Sequence, residues 1–229
     1  MCGRFTLTAD ALEIQEEFNL AVQPDSFLPR YNNAPSQLVA IIRNAESNLE
    51  WILWGLVPFW AKEMSIGSRM INARSETLRE KPAFRHAFAK QRCLILANGF
   101  YEWKKAEGKN RGGNQPYYFL LKSHKPFAFA GLWDINVSIR GTPLISCSII
   151  TCAANELVAS VHDRMPVMMN AQTGYQWLAG SRPEDLEKLL KPFPSDLMIA
   201  HTVSKYVNDP QHDDQECIRP LASNQLDLL

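Results

Sequence analysis

No sign of charge dominates this sequence. Lys and Arg total 24, Asp and Glu total 24, and the formal net charge is +0. That excludes a binder working through bulk positive charge and a basic membrane-surface protein, though not a locally sorted basic face. Long apolar runs are missing too. Stretches such as 93–97 and 127–132 fall far short of the ~20 residues of a membrane span. The amino terminus has no apolar signal-peptide core. The five cysteines form no C-x-x-C pair and are odd in number, which reads as free thiols in a reducing compartment. The expectation is a cytoplasmic protein with no membrane association, in which the N-x-S match at 136–138 is idle. There is no G-x-G-x-x-G, P-loop, H-E-x-x-H or G-x-S-x-G. Cys147 and Cys152 lie in an apolar strand pattern and read as core thiols, not zinc ligands. No cofactor and no metal are expected.

What is present suits a folded core. The chain has 229 residues, 46% of them apolar and 21% charged. A compact chain of this size buries roughly 70–75% of its unfolded surface, without needing disulfides or metals. No repeat, low-complexity tract or linker divides it, so residues 1–229 are read as a single domain, with the motif-bearing part at about 2–208.

Helical spacing of Ala11, Ile14 and Phe18 predicts a helix over 8–18, capped by Thr8. Residues 21–35, with three prolines, read as loop. Val- and Ile-rich stretches at 37–43 and 49–54 predict a hairpin, and 55–72 a long ordered loop. A helix is predicted over 82–90, followed by strands at 92–97, 100–104, 117–121, 127–132, 144–153 and 197–203. The Gly- and Lys-rich segment between 104 and 116 reads as a mobile hairpin loop. Short helices are expected at 155–160, 171–178 and 183–190, the last with Ser181 and Glu184 at capping-box spacing. The fold class is α+β: a mostly antiparallel sheet curled into a barrel-like core, with short peripheral helices.

Five clusters place polar groups beside aromatics: MCGRF at 1–5, RYNNAP at 30–35, INARSE at 71–76, NGFYEWK at 98–104 and VHDRMP at 161–166. Arg4, Arg30, Arg74 and Arg164 all lie within them, which suggests convergent arginines. Cys2 is the sharpest feature. Removal of Met1, expected before a small second residue, creates a 1,2-aminothiol. Its amine (pKa ~7.7–8.0) and thiol (~8.5) are both partly nucleophilic near neutral pH. The amine attacks an aldehyde to give a Schiff base, and the thiol then closes a thiazolidine. Plainer readings stand beside this one: Cys2 as a frayed terminus, Asn72 as a turn or cap residue, Glu102 as a solvent-facing carboxylate, His162 as a helix-end cap. Trp54 and Trp103 read as core, and Trp60 as exposed.

With WGLVPFW at 54–60 added, and the later segments extended to INARSET at 71–77 and VHDRMPV at 161–167, the ordered motifs resemble those of the SOS-response-associated peptidase family, the abasic-site-processing proteins. The resemblance implies covalent capture of an abasic site in single-stranded DNA by Cys2, shielding the lesion, with weak lyase activity as a side reaction. It further implies that Asn72 orients the adduct, that Glu102 moves protons beside the Cys2 amine, and that His162 exchanges a proton at the sugar oxygen. Arg74 and Arg164, with Arg4 a third candidate, would hold phosphates. Phe59, Trp60 and Pro35 would stack on or wedge between bases. The partner is then single-stranded DNA, and nothing demands more than a monomer. Two rivals remain: an N-terminal-nucleophile cysteine peptidase with His162 as base and Asn72 as orienting or oxyanion group, and a noncatalytic single-stranded nucleic-acid binder.

Overall fold

The computed structural model describes residues 2–20, 25–44, 49–106, 113–139 and 141–221. Two sheets carry thirteen strands among these residues. The first holds β1 (Phe5–Leu7), β2 (Arg30–Asn33), β7 (Gly99–Lys104), β8 (Gln115–Leu121) and β13 (Met198–Thr202), in the order β13-β8-β7-β1-β2 and antiparallel throughout. The second holds β3 (Leu38–Ile42), β4 (Glu50–Trp54), β5 (Asn72–Arg74), β6 (Arg92–Ala97), β9 (Phe127–Asn136), β10 (Leu144–Ala153), β11 (Arg164–Pro166) and β12 (Met168–Met169). Its path β10-β4-β3-β6-β9 returns to β10, because β9 and β10 also pair. Five strands thus close a barrel, the β10–β4 contact being its parallel seam. This is the expected α+β, barrel-like architecture.

The barrel strands are the continuous apolar runs, which is why β6 and β10 match their predicted bounds. Phe5 joins the sheets. Its ring meets Trp54 at 5.1 Å and Phe129 at 5.5 Å, both edge-on, and Phe100 stacks on Phe119 at 5.1 Å. Among the described residues, five short α-helices surround this core: α1 (Ala11–Phe18), α2 (Arg85–Lys90), α3 (Glu156–Ala159), α4 (Ala171–Ala179) and α5 (Pro183–Leu189). Among the described residues, no helix is long and apolar enough to cross a membrane.

Several local expectations need correction. Asp10, not Thr8, caps α1, through a reciprocal capping box with Glu13. The Thr8 and Ala9 amides instead donate to Asn98 Oδ1 at 2.8 and 2.9 Å. The Ser181–Glu184 box does not form. Arg182 is the N-cap of α5, without a side-chain cap, and Pro183 opens the helix. The helix expected from residue 82 starts at Arg85. Residues 30–33, expected within a loop, form β2, because β1 supplies a partner strand. Much of the 104–116 loop lies outside the described residues.

Arg92 fastens the periphery. Its guanidinium donates to the carbonyls of Phe88 and Ala89 in α2 and of Trp177, Leu178 and Gly180 at the end of α4. One cation therefore satisfies the C-terminal carbonyls of two helices.

Candidate functional site

Cys2 is fully buried, not frayed. It lies just before β1, and β1 pairs with β7, the strand bearing Glu102. Asn72 opens β5, which runs parallel to β10, and its Nδ2 donates to the Cys2 carbonyl oxygen at 2.8 Å. Asn72 Oδ1 is buried and accepts no hydrogen bond among the described residues, leaving an acceptor at the site. Glu102 is only 2% exposed, which removes the solvent-facing reading.

Burial raises the Glu102 pKa, and the charge of His162 opposes the rise. Burial, then the Glu102 charge, pushes the Cys2 thiol far above its ordinary value. Cys2, Asn72, Glu102 and His162, drawn from distant parts of the chain, therefore share one site. The Arg164 amide donates to His162 Nδ1 at 3.0 Å. That bond orients the ring, whose other polar atom is Nε2. Asp163 lies 3.0 Å from Nδ1, but its side chain is 87% exposed, where an ion pair is weak.

The arginines divide into three kinds. Arg74 is exposed, and its guanidinium has no partner among the described residues. Arg164 is forked against Glu76 and also donates to Thr151 O at 2.7 Å. The two flank one stretch of β10, since Arg74 lies opposite Thr151 and Arg164 opposite Ala153. Arg4 shares no partner with the other two. It donates to Asn32 Oδ1 and Val207 O at 2.9 Å and to Asn208 O at 3.1 Å, so its guanidinium is engaged in the fold. Phe59 and Trp60 are 54% and 45% exposed, and Pro35 is half-buried after β2. Trp54 is core, whereas Trp103 is half-buried and donates to Asn208 Oδ1 at 2.8 Å.

Two participants escaped the sequence reading. Glu76 holds Arg164, and Asn32 ties Arg4 to the carbonyls of Val207, Asp209 and His212. Both sit inside motifs already singled out, and that membership was the only available signal.

The arrangement sets a buried carboxyl beside Cys2, near one cation paired with Glu76 and a second, Arg74, that has no partner among the described residues. Comparison with known proteins agrees with this assembly of motifs. The family model for SOS response associated peptidase (SRAP) matches residues 1–210. Abasic site processing protein YoqW of Bacillus subtilis (strain 168) is 44% identical over 228 residues, covering 95% of this chain and 99% of that one. Abasic site processing protein HMCES of Rattus norvegicus is 29% identical over 236 residues, covering 86% of this chain and 66% of that one. A crystal structure of a protein from Bacteroides thetaiotaomicron superposes with a TM-score of 0.85 at 26% identity, covering 96% of this chain and 100% of that one. With its family model matched over nearly the whole sequence, the chain belongs to the SOS response associated peptidase family.

Proposed function

We propose that this protein captures abasic sites in single-stranded DNA as a covalent thiazolidine on Cys2, once Met1 has been removed. The observation that carries the reading is the burial of Glu102 beside Cys2, with the Glu102 carboxyl raised toward its protonated form. The names of the relatives, abasic site processing proteins, supply the substrate class.

The chemistry balances around one carboxyl group. The Cys2 amine attacks C1 of the ring-opened sugar aldehyde, and a proton passes from nitrogen to oxygen to give a carbinolamine. Protonated Glu102 donates to the departing hydroxyl, releasing water and leaving an iminium ion and a carboxylate. The Cys2 thiol adds to the iminium carbon, and its proton returns to Glu102. The net change is aldehyde plus aminothiol to thiazolidine plus one water. A thiol held protonated by burial suits an amine-first order. It does not suit a thiolate-first acyl transfer, so the peptidase reading gains no support from this geometry.

Asn72 holds the Cys2 carbonyl, and its free Oδ1 offers an acceptor for the attacking amine. His162, its ring oriented by the Arg164 amide, exchanges a proton at the sugar oxygen. Arg74 and Arg164 take phosphates, and Phe59, Trp60 and Pro35 meet neighbouring bases. A site without a base has less stacking to lose on extrusion. The adduct shields the lesion from strand cleavage, and its Schiff-base precursor permits weak lyase activity. Cys2→Ala tests the proposal: the stable crosslink is expected to vanish, and an unchanged crosslink yield contradicts it.

A further inference from the structure

The stretch that carries Phe59 and Trp60 starts against β1 and finishes at the Cys2 carbonyl. It leaves from Trp54, whose ring packs on Phe5 at 5.1 Å, and returns at Asn72, bonded to the Cys2 carbonyl. Its fold depends on a backbone crossing. Gly55, at φ +126°, lies where a Cβ would come within 2.9 Å of Gly67 O, so the position requires glycine.

Side chains of the barrel hold the backbone in between. Ser146 Oγ accepts from Val57 N at 2.8 Å, and Asp134 Oδ2 accepts from Phe59 N at 2.9 Å. Asn136 Nδ2 donates to Pro58 O at 2.7 Å and to Ala61 O at 2.9 Å, and Ser138 Oγ donates to Ala61 O at 3.2 Å. Asp134, Asn136 and Ser146 are all buried, so each broken bond would strand a polar group away from water. The N-x-S match at 136–138 is therefore a loop anchor. Within residues 57–61 only Phe59 and Trp60 are exposed, with Phe59 braced edge-on against His86 at 5.8 Å.

We infer that Asp134 and Asn136 are positioning residues that hold the Phe59–Trp60 loop ready to meet the bases flanking a lesion. The inference rests on the proposed abasic-site reading. A clamped backbone presenting two adjacent exposed aromatics loses little conformational freedom on binding. Removing the clamp therefore weakens base contacts without touching the chemistry at Cys2.

The test compares two abasic oligonucleotides, one with base-bearing neighbours and one whose neighbours are base-free spacers. Asn136→Ala and Asp134→Ala are expected to need about tenfold more of the base-bearing strand for half-maximal capture, the scale of one lost stacking contact. On the base-free strand they should match the unmodified protein. Ser138→Ala, which removes the outermost tether, should shift half-saturation in the same direction by a smaller factor, and it keeps the test available if Asn136→Ala does not fold. Equal losses on both strands, or no loss on the base-bearing one, would overturn the inference. If the unmodified protein forms no crosslink, the abasic-site reading fails by itself. Anisotropy with an undamaged strand then decides: about tenfold weaker binding by the variants supports the clamp, and unaltered binding overturns it.

Discussion

Asn72 Nδ2 donates to the carbonyl oxygen of Cys2 at 2.8 Å, joining residues 70 positions apart. The bond fixes the backbone of Cys2, while the amide oxygen of Asn72 accepts no hydrogen bond among the described residues. Losing one positioning hydrogen bond in Asn72→Ala is expected to slow capture about 10- to 30-fold. Affinity for an undamaged strand should change little. Single-turnover crosslinking beside a binding titration separates the two, and parallel losses would reduce Asn72 to a structural role.

Glu102 gives a prediction with two readouts. Its folded pKa is raised, chiefly by burial. Dehydration of the carbinolamine needs the protonated acid, so capture should fall as pH rises through that raised pKa. In Glu102→Gln capture should be slow and lack this limb, with DNA binding retained. The stability sign follows by linkage. Between the unfolded pKa, about 4.3, and the folded one, the native state binds more protons, so stability falls as pH rises. Glu102→Gln should therefore melt higher than the unmodified protein at neutral pH and lose that advantage in acid. A lower melting temperature at neutral pH would contradict the assigned cost of burying this carboxylate.

The arginines should separate by salt dependence. Each phosphate contact contributes about −0.7 to the slope of log affinity against log salt for single strands. Arg74→Ala should make the slope shallower by about that amount. Arg4→Ala should leave the slope unchanged and lower stability, since Arg4 is bonded to Asn32, Val207 and Asn208. A shallower slope in Arg4→Ala would return that residue to the DNA interface.

Arg92 provides a purely structural prediction. Arg92→Ala leaves the C-terminal carbonyls of α2 and α4 without their shared donor. The expected loss is about 3 kcal/mol, or roughly 6–12 °C in melting temperature for a chain this size. Capture by the still-folded fraction should be unaffected, which a crosslinking assay well below the melting temperature checks.

The long buried strands were legible because a continuous apolar run of strand length has few other uses, and β6 and β10 are such runs. The two-to-four-residue strands β1, β2, β5, β11 and β12 were not, because their identity lies in their partners and not in their composition. A barrel-like core was expected, but which strands close it was not legible for the same reason: periodicity assigns a strand to a face but never names its neighbour. At the site, the motifs marked the positions of Cys2, Asn72, Glu102 and His162. The partners that restrain the arginines were hidden by distance along the chain. Glu76 lies 88 residues from Arg164, and Asn32 reaches carbonyls 175 to 180 residues away.

Intact-protein mass spectrometry, before and after incubation with an abasic single-stranded oligonucleotide, tests the proposed capture most directly. The predicted result is a starting mass lacking Met1, followed by a shift equal to the oligonucleotide less one water, absent in Cys2→Ala. A Met1-free protein whose mass stays unchanged after incubation would contradict covalent capture through Cys2.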